Sequence, residues 1–419
     1  MASSRYIFVL FIPIFFSIVL NTIGFFPSGY LHPGTIRAVI MILFIIPFFF
    51  KNFQKTKCNN VILIFIFYIG FLCLFSSIIK ISLWAYIKFL IASMMFPIGY
   101  YFINTHEKLI QLSYSYAISL GLFIFVLLIS NFFNIGTSDY LENSVYFGSG
   151  RVNITKPMLI LILTGPLALS TFKGKGKYLF ILFLFMALFL ALIGIKRSVL
   201  LSTIASFLIF GLCLKNNVKL VMSSIICFII MAVTLTAFNK PIEIFLSRLE
   251  AREDQLEISR NTMEAESRYL ETNLVINKWI DGSITHKIFG SEMFNDRYFF
   301  NTNRMLHTDY MVVINGSGLF GVILFFLVYI SIIFEKEKYW RKVKHYTKFK
   351  LYNPIFYSII ASQLLMSISG TIHHIELRSF IFLYLGAIVG SLRGETRKKL
   401  IAIANKNSTS SIKHAKFYP

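Results

Sequence analysis

The chain has 419 residues, of which 56% are hydrophobic, 17% aromatic and only 14% charged, with a mean hydropathy of +0.69. That balance excludes a soluble globular domain, in which about 25% of residues are charged, and predicts an all-α polytopic integral membrane protein. The formal charge of +22 invites a nucleic-acid partner, but the cations sit in short breaks between apolar runs, where they set orientation in a bilayer instead.

A helix needs ~20 apolar residues to cross ~30 Å of hydrocarbon. About twelve such runs follow one another, at 6–26, 35–50, 60–79, 81–103, 111–134, 154–172, 178–195, 197–214, 219–238, 308–334, 353–370 and 376–392. The first follows Arg5 without a small-residue cleavage site, so it reads as an uncleaved anchor. Lys51, Lys55 and Lys57, then Lys173, Lys175 and Lys177, then Lys215 and Lys219 occupy alternate breaks, as do the run EKEKYWRKVKHYTKFK (335–350) and the tail from Arg393 to Lys416. The positive-inside bias puts all of these, with both termini, in the cytoplasm, where they meet anionic lipid. Cys58, Cys73, Cys213 and Cys227 lie in spans or at a cytoplasmic edge, so neither a disulfide framework nor a zinc site is expected.

The chain thus divides into nine spans over 1–238, a loop at 239–307, three spans over 308–392 and a basic tail at 393–419. The loop holds 11 of the 19 acidic residues but only 9 of the 41 basic ones, which assigns it to the outer side. At this length it is a folded element rather than a linker. In its first half Asn239 can cap a helix, Pro241 suits the first turn, and Ile244, Phe245, Leu249, Leu256, Met263, Leu270, Leu274 and Ile276 recur at helical spacings up to Asp281-Gly282. The second half, SITHKIFGSEMFNDRYFFNTNRM, predicts a compact turn region packed on the membrane surface. No internal repeat of the transporter kind is present.

Groups suited to an anion gather on this outer side. Arg197 opens the eighth span in GIKRSVLLS; a snorkelling arginine is the plain alternative, but Lys and Arg are selected against on the outer side of short loops. Arg248, Arg252, Arg260 and Arg268 follow on the loop helix among glutamates, where surface ion pairs account for most of them. Arg268 is singled out because the helix turns apolar beside it. His307 and Asp309 stand at the entrance to the tenth span, LHTDYMVVINGSGLFGVILFF, where an imidazole can take a proton from a hydroxyl or donate to a phosphate. Asn315, Gly316, Ser317 and Gly318 thin one side of that helix so that another backbone or a substrate can come close. THHIELR adds His373, His374 and Arg378, which ordinary interfacial placement explains equally well. Arginine forks can hold a pyrophosphate bidentately and stabilise it as a leaving group. The loop offers no Asp-x-Asp pair, which favours chemistry without a metal. Charge within the spans is read as little beyond Lys88, which argues against a central transport cavity.

Four stretches resemble the bacterial O-antigen polymerase and ligase superfamily, polytopic glycosyltransferases of the C-type membrane class. KRSVLL (196–201) resembles its arginine at the outer start of a span, and ESRYLETNLVINKW (266–279) its loop arginine segment. IFGSEMF (288–294) resembles its glycine-containing turn, with Ser291 in place of the second glycine. The block beginning at His307 resembles its histidine block, with Thr308 in place of asparagine. The motifs cover roughly a quarter of the chain and are degenerate. The resemblance implies about twelve spans in a glycosyltransferase C-like fold in a bacterial inner membrane. It further implies transfer of a glycan from undecaprenyl pyrophosphate at the periplasmic face, with no metal or cofactor. Arg197, Arg268 and His307 then form the catalytic set, and Arg197, Arg268, Arg260, Arg304, Asp309 and His374 the substrate-binding set. The partners it implies are the lipid-linked oligosaccharide, membrane lipid, a chain-length regulator and a flippase, with no nucleic acid.

Overall fold

A computed structural model describes residues 33–133, 151–193, 197–214, 267–295, 306, 308–372 and 374–415. Its helices are α1 Pro33–Asn52, α2 Lys57–Cys73, α3 Ile79–Phe102, α4 His106–Phe132, α5 Arg151–Leu169, α6 Lys175–Ile193, α7 Arg197–Cys213, α8 Ser267–Asp281, α9 Ile284–Phe289, α10 Asp309–Val343, α11 Tyr352–Met366 and α12 Ile375–Ala415. No strand occurs among the described residues. Ten of the expected spans coincide with a helix, while 6–26 and 219–238 lie outside the described residues. Among the described residues five segments are long and apolar enough to cross a membrane: Ile79–Phe102, His106–Ile129, Asp309–Val343, Thr347–Ser369 and Ile375–Ile403. Large apolar side chains such as Leu43, Phe50, Phe67, Leu182 and Leu212 stand exposed on the outer helix faces. Apolar surface on that scale is at home against lipid rather than water.

Helix starts follow local capping chemistry. Thr56, Thr105, Ser283 and Thr308 each accept a hydrogen bond from the backbone N–H three residues on, satisfying a donor that the first turn leaves open. Two helices outrun the spans expected on them. Beyond the span ends expected at 334 and 392, α10 and α12 run on through charged sequence to Val343 and Ala415. Nothing in EKEKYWRKV breaks a helix, and Arg341 and Lys342 in its last turn suit the negative end of the dipole. Polar helix is invisible to a hydropathy window.

The core is built around α12, whose apolar stretch is almost wholly buried. Gly386, Gly390 and Gly394 recur every four residues and so share one face. A Cβ on any of them would collide with the backbone of Phe96, Tyr100 or Asn104 on and just beyond α3, and a Cβ on Gly99 would come within 2.9 Å of Ala387 N. The two backbones therefore touch in register, which fixes α3 and α12 parallel. Tyr116 Oη donates to Phe380 O at 2.9 Å and the Tyr352 and Ser391 hydroxyls pair at 2.9 Å, fastening α4 and α11 to the same helix. One end of the bundle carries Asp309, Thr371 and the start of α3; the other carries Tyr100, Glu335, Tyr352 and the charged half of α12.

Candidate functional site at the start of α10

Helix α10 begins in the block where the sequence places its acid. Thr308 caps the helix through Met311 N at 3.3 Å, a role asparagine performs equally well. The Asp309 carboxylate is 0% exposed and accepts from Thr371 N at 2.5 Å, from Ile372 N at 2.7 Å and from the Thr371 hydroxyl. The turn it grips is held from other sides as well. Lys156 Nζ donates to Gly370 O at 2.9 Å, Gln363 Nε2 to Thr371 Oγ1 at 3.1 Å, and His374 N to Thr371 O at 2.8 Å. Asp309 thus holds the turn whose backbone His374 N closes.

The glycines behind Asp309 have a definite occupant. Gly318 has φ 60° and ψ −166°, a conformation essentially confined to glycine, and it kinks α10. The turn after α9 seats into that kink. Ser291 N donates to Asn315 O at 3.0 Å, and Tyr68 Oη lies 2.9 Å from Ser317 O and 3.2 Å from Phe289 O. A Cβ on Gly318 would lie 2.5 Å from Gly290 N and from Ile288 O, and one on Gly290 would lie 2.5 Å from Gly316 O. Of the two visitors the sequence allows, backbone or substrate, this face receives the backbone of residues 288–293. Ser291 stands outside the left-handed region, so its side chain is tolerated there. Glu292 then ties the turn to the α2–α3 connection, accepting from Ser77 Oγ at 2.8 Å and from Asn295 Nδ2. Met293 and Phe294 are buried beneath it.

Below this surface lies a polar cluster that sequence reasoning missed. Arg378 is 1% exposed, its guanidinium over the rings of Phe89 at 5.4 Å and Phe382 at 5.6 Å. Its Nε and Nη1, the Tyr329 hydroxyl and Gln363 Oε1 are buried and have no hydrogen-bond partner among the described residues. Arg378 and Gln363 lie near the Tyr329 hydroxyl. Two readings are settled here. Arg378 is buried, so the interfacial placement left open for it does not hold, and charge within the expected spans is not confined to Lys88, since Lys156, Asp309 and Arg378 lie inside them and are buried. Averaging over a span hides one charge near a helix end; Gln363 and Tyr329 inside apolar spans were the available signal.

Arg197 is the first residue of α7 and Arg268 the second of α8; for both, only the helical position is described. Helix α7 packs on α11 and α5, and α8 on α10 and α9. His307, His373, Arg260 and Arg304 lie outside the described residues, as does 239–266, the first part of the expected loop helix. The helix expected to stop at Asp281 does so. His286, on α9, has its pKa lowered by burial and by nearby Lys278, with Nε2 unpartnered among the described residues. No three His, Cys, Asp or Glu side chains gather in metal-ligand geometry among the described residues. No family model matches the chain, and neither does any curated protein.

Proposed function

We propose that this protein is a polysaccharide polymerase of the O-antigen type, a metal-independent glycosyltransferase of about twelve spans working at the periplasmic face of a bacterial inner membrane, with both termini cytoplasmic. It transfers a growing glycan from undecaprenyl pyrophosphate to a repeat unit still on its own lipid. Arg197 and Arg268 hold the donor pyrophosphate. His307 takes the proton of the acceptor hydroxyl as its oxygen bonds to the anomeric carbon, and the bond from that carbon to the pyrophosphate breaks. Arg260, Arg304, Asp309 and His374 complete the substrate-binding set, with Asp309 acting through the turn it holds. One observation carries the reading. The two stretches resembling the family's turn and histidine block meet backbone to backbone at Gly290 and Gly318, on the helix whose N-cap, Thr308, follows the proposed base in the sequence.

The test is a polysaccharide gel of a deletion strain complemented with Arg197→Ala, Arg268→Ala and His307→Ala. Each variant is expected to insert and to leave only single repeat units; normal chain-length ladders from all three would eliminate the site. Purified protein given lipid-linked repeat units alone separates polymerase from the runner-up, a ligase, which needs the lipid A core as acceptor. A flippase of the same lipid-linked sugar is the reading of another class, and the buried Lys156 and Arg378 are the observation in its favour. Repeat units stranded on the inner leaflet of the deletion strain would select it; units on the outer leaflet select the polymerase.

A further inference from the structure

The opposite end of the bundle holds a site that this chemistry does not use. Where α3 ends, α4 begins and α12 turns from apolar to charged, a cavity of about 600 Å³ opens. Lys108, Arg393, Arg397 and Lys398 line it, and none of its lining residues is acidic. Most basic runs at a membrane surface are convex and solvated; these four cations face one concavity. Lys108 Nζ donates to Phe102 O at 3.2 Å and Asn104 Oδ1 at 2.9 Å, which orients the ammonium and leaves a third N–H. Arg393 lies over the Tyr100 ring at 5.1 Å, a stacking that fixes the guanidinium plane without neutralising it. Lys398 is paired with Glu395 at 3.1 Å, and Glu395 also takes Lys348 at 2.7 Å. Among the described residues no carboxylate pairs with Arg393 or Arg397. Gly390 and Gly394 also line the cavity, at the place where the α12 backbone closes on residues 100–104, so the inner wall is backbone and not a movable side chain.

We propose that this cavity binds a phosphate-bearing anion through Arg393, Arg397 and Lys108. The rim points to a lipid headgroup, since exposed Ile401 lines the cavity beside exposed Leu400, at the level where the apolar part of α12 ends. A soluble polyphosphate carries the same chemistry. The lysine clusters assign this face to the cytoplasm, away from the proposed transfer site.

The test uses the full chain purified in detergent. One arm measures retention of phosphatidylglycerol against phosphatidylcholine by native mass spectrometry; the other titrates inorganic pyrophosphate calorimetrically. Arg393→Gln with Arg397→Gln is compared with Lys344→Gln and Lys350→Gln, two exposed cations of the same face outside the cavity. The cavity pair is expected to weaken binding about tenfold or more and the control pair by no more than about threefold. Selective retention of phosphatidylglycerol that the cavity pair abolishes upholds the site as a headgroup site. A response to pyrophosphate alone upholds it for a soluble anion. Equal weakening by both pairs, or no binding of either probe, overturns it. If the double variant fails to fold, Arg397→Gln alone, at an exposed side chain, carries the comparison.

Discussion

Gly318 is where a single methyl group should have the largest consequence. In Gly318→Ala the new Cβ meets Gly290 N and Ile288 O at 2.5 Å, both backbone atoms that cannot swing aside. It also forces alanine into a conformation that costs about 1 to 3 kcal/mol by itself. Either α10 straightens or the turn lifts off. Both routes lose the bond from Ser291 N to Asn315 O and the Tyr68 contact with Ser317 O, at roughly 1 kcal/mol each. The loss is about 2 kcal/mol if α10 straightens and about 3 to 5 kcal/mol if the kink stays and the turn lifts off. The control is Gly121→Ala in α4, where the added carbon makes ordinary contact with Phe183 at 3.7 Å and helix propensity gains roughly 1 kcal/mol. Thermal unfolding in detergent and the rate of tryptic cleavage after Lys287, on α9, report the two predicted effects. Gly318→Ala should melt early and be cut quickly. Behaviour matching Gly121→Ala on both measures would refute the kink-and-turn reasoning.

Asp309→Asn turns one of the oxygens facing three donors into a donor, so it should destabilise by about 1 to 3 kcal/mol, whereas an unchanged melting temperature would remove Asp309 as the pin of residues 371 and 372. Arg378→Met keeps the volume and removes a buried charge whose Nε and Nη1 lack partners among the described residues, so stability should hold within about 1 kcal/mol or rise; a loss several times larger would reveal that the charge is compensated in the fold. His286 has a folded pKa below its usual 6.5, so the folded state prefers the neutral ring and binds fewer protons than the unfolded chain as pH falls through that value. The seating of α9 should therefore weaken below about pH 6.5, by a modest amount because the ring is part-exposed. Tryptic cleavage after Lys287 should accelerate on acidification in the parent and not in His286→Gln; parallel profiles would exclude the imidazole as the cause.

Which parts of this molecule are legible in the sequence depends on how local their cause is. The helices at 81–103 and 111–134 are legible because apolar runs of that length have one stable form in lipid. The polar extensions to Val343 and Ala415 are not, since charge ends a hydropathy window without ending a helix. The glycines at 316 and 318 announce a close approach, but the visitor comes from residues 288–293, and only the tertiary fold joins the two. Arg378 reads as interfacial because its depth depends on Phe89 of α3 lying over it, which no spacing within THHIELR encodes. Lys336, in a run that reads as a cytoplasmic loop, is 0% exposed, paired with Glu337 at 2.6 Å and set over the Tyr357 ring at 4.5 Å. Its neighbours on α11 are likewise non-local.

Helix α10 is pinned at two points by buried ions of opposite sign, and the kink lies between them. Asp309 holds the first segment to residues 371 and 372, while Lys336 holds the second to Asn353 and the aromatic rings of α11. A straight helix would pass any shift at Lys336 directly to its first turn. With Gly318 breaking the backbone ladder, the segment from Asp309 to Ser317 takes its direction from the Asp309 grip and from the seated turn instead. Residue 307 stands two positions before that grip. The first turns of α10 are therefore held by a short pinned segment rather than by the length of the helix. That predicts a specific hierarchy for the proposed base: substitutions at Asp309 or Gly318 should impair His307 without touching it, and Lys336→Met, which loosens only the far segment, should leave its chemistry intact.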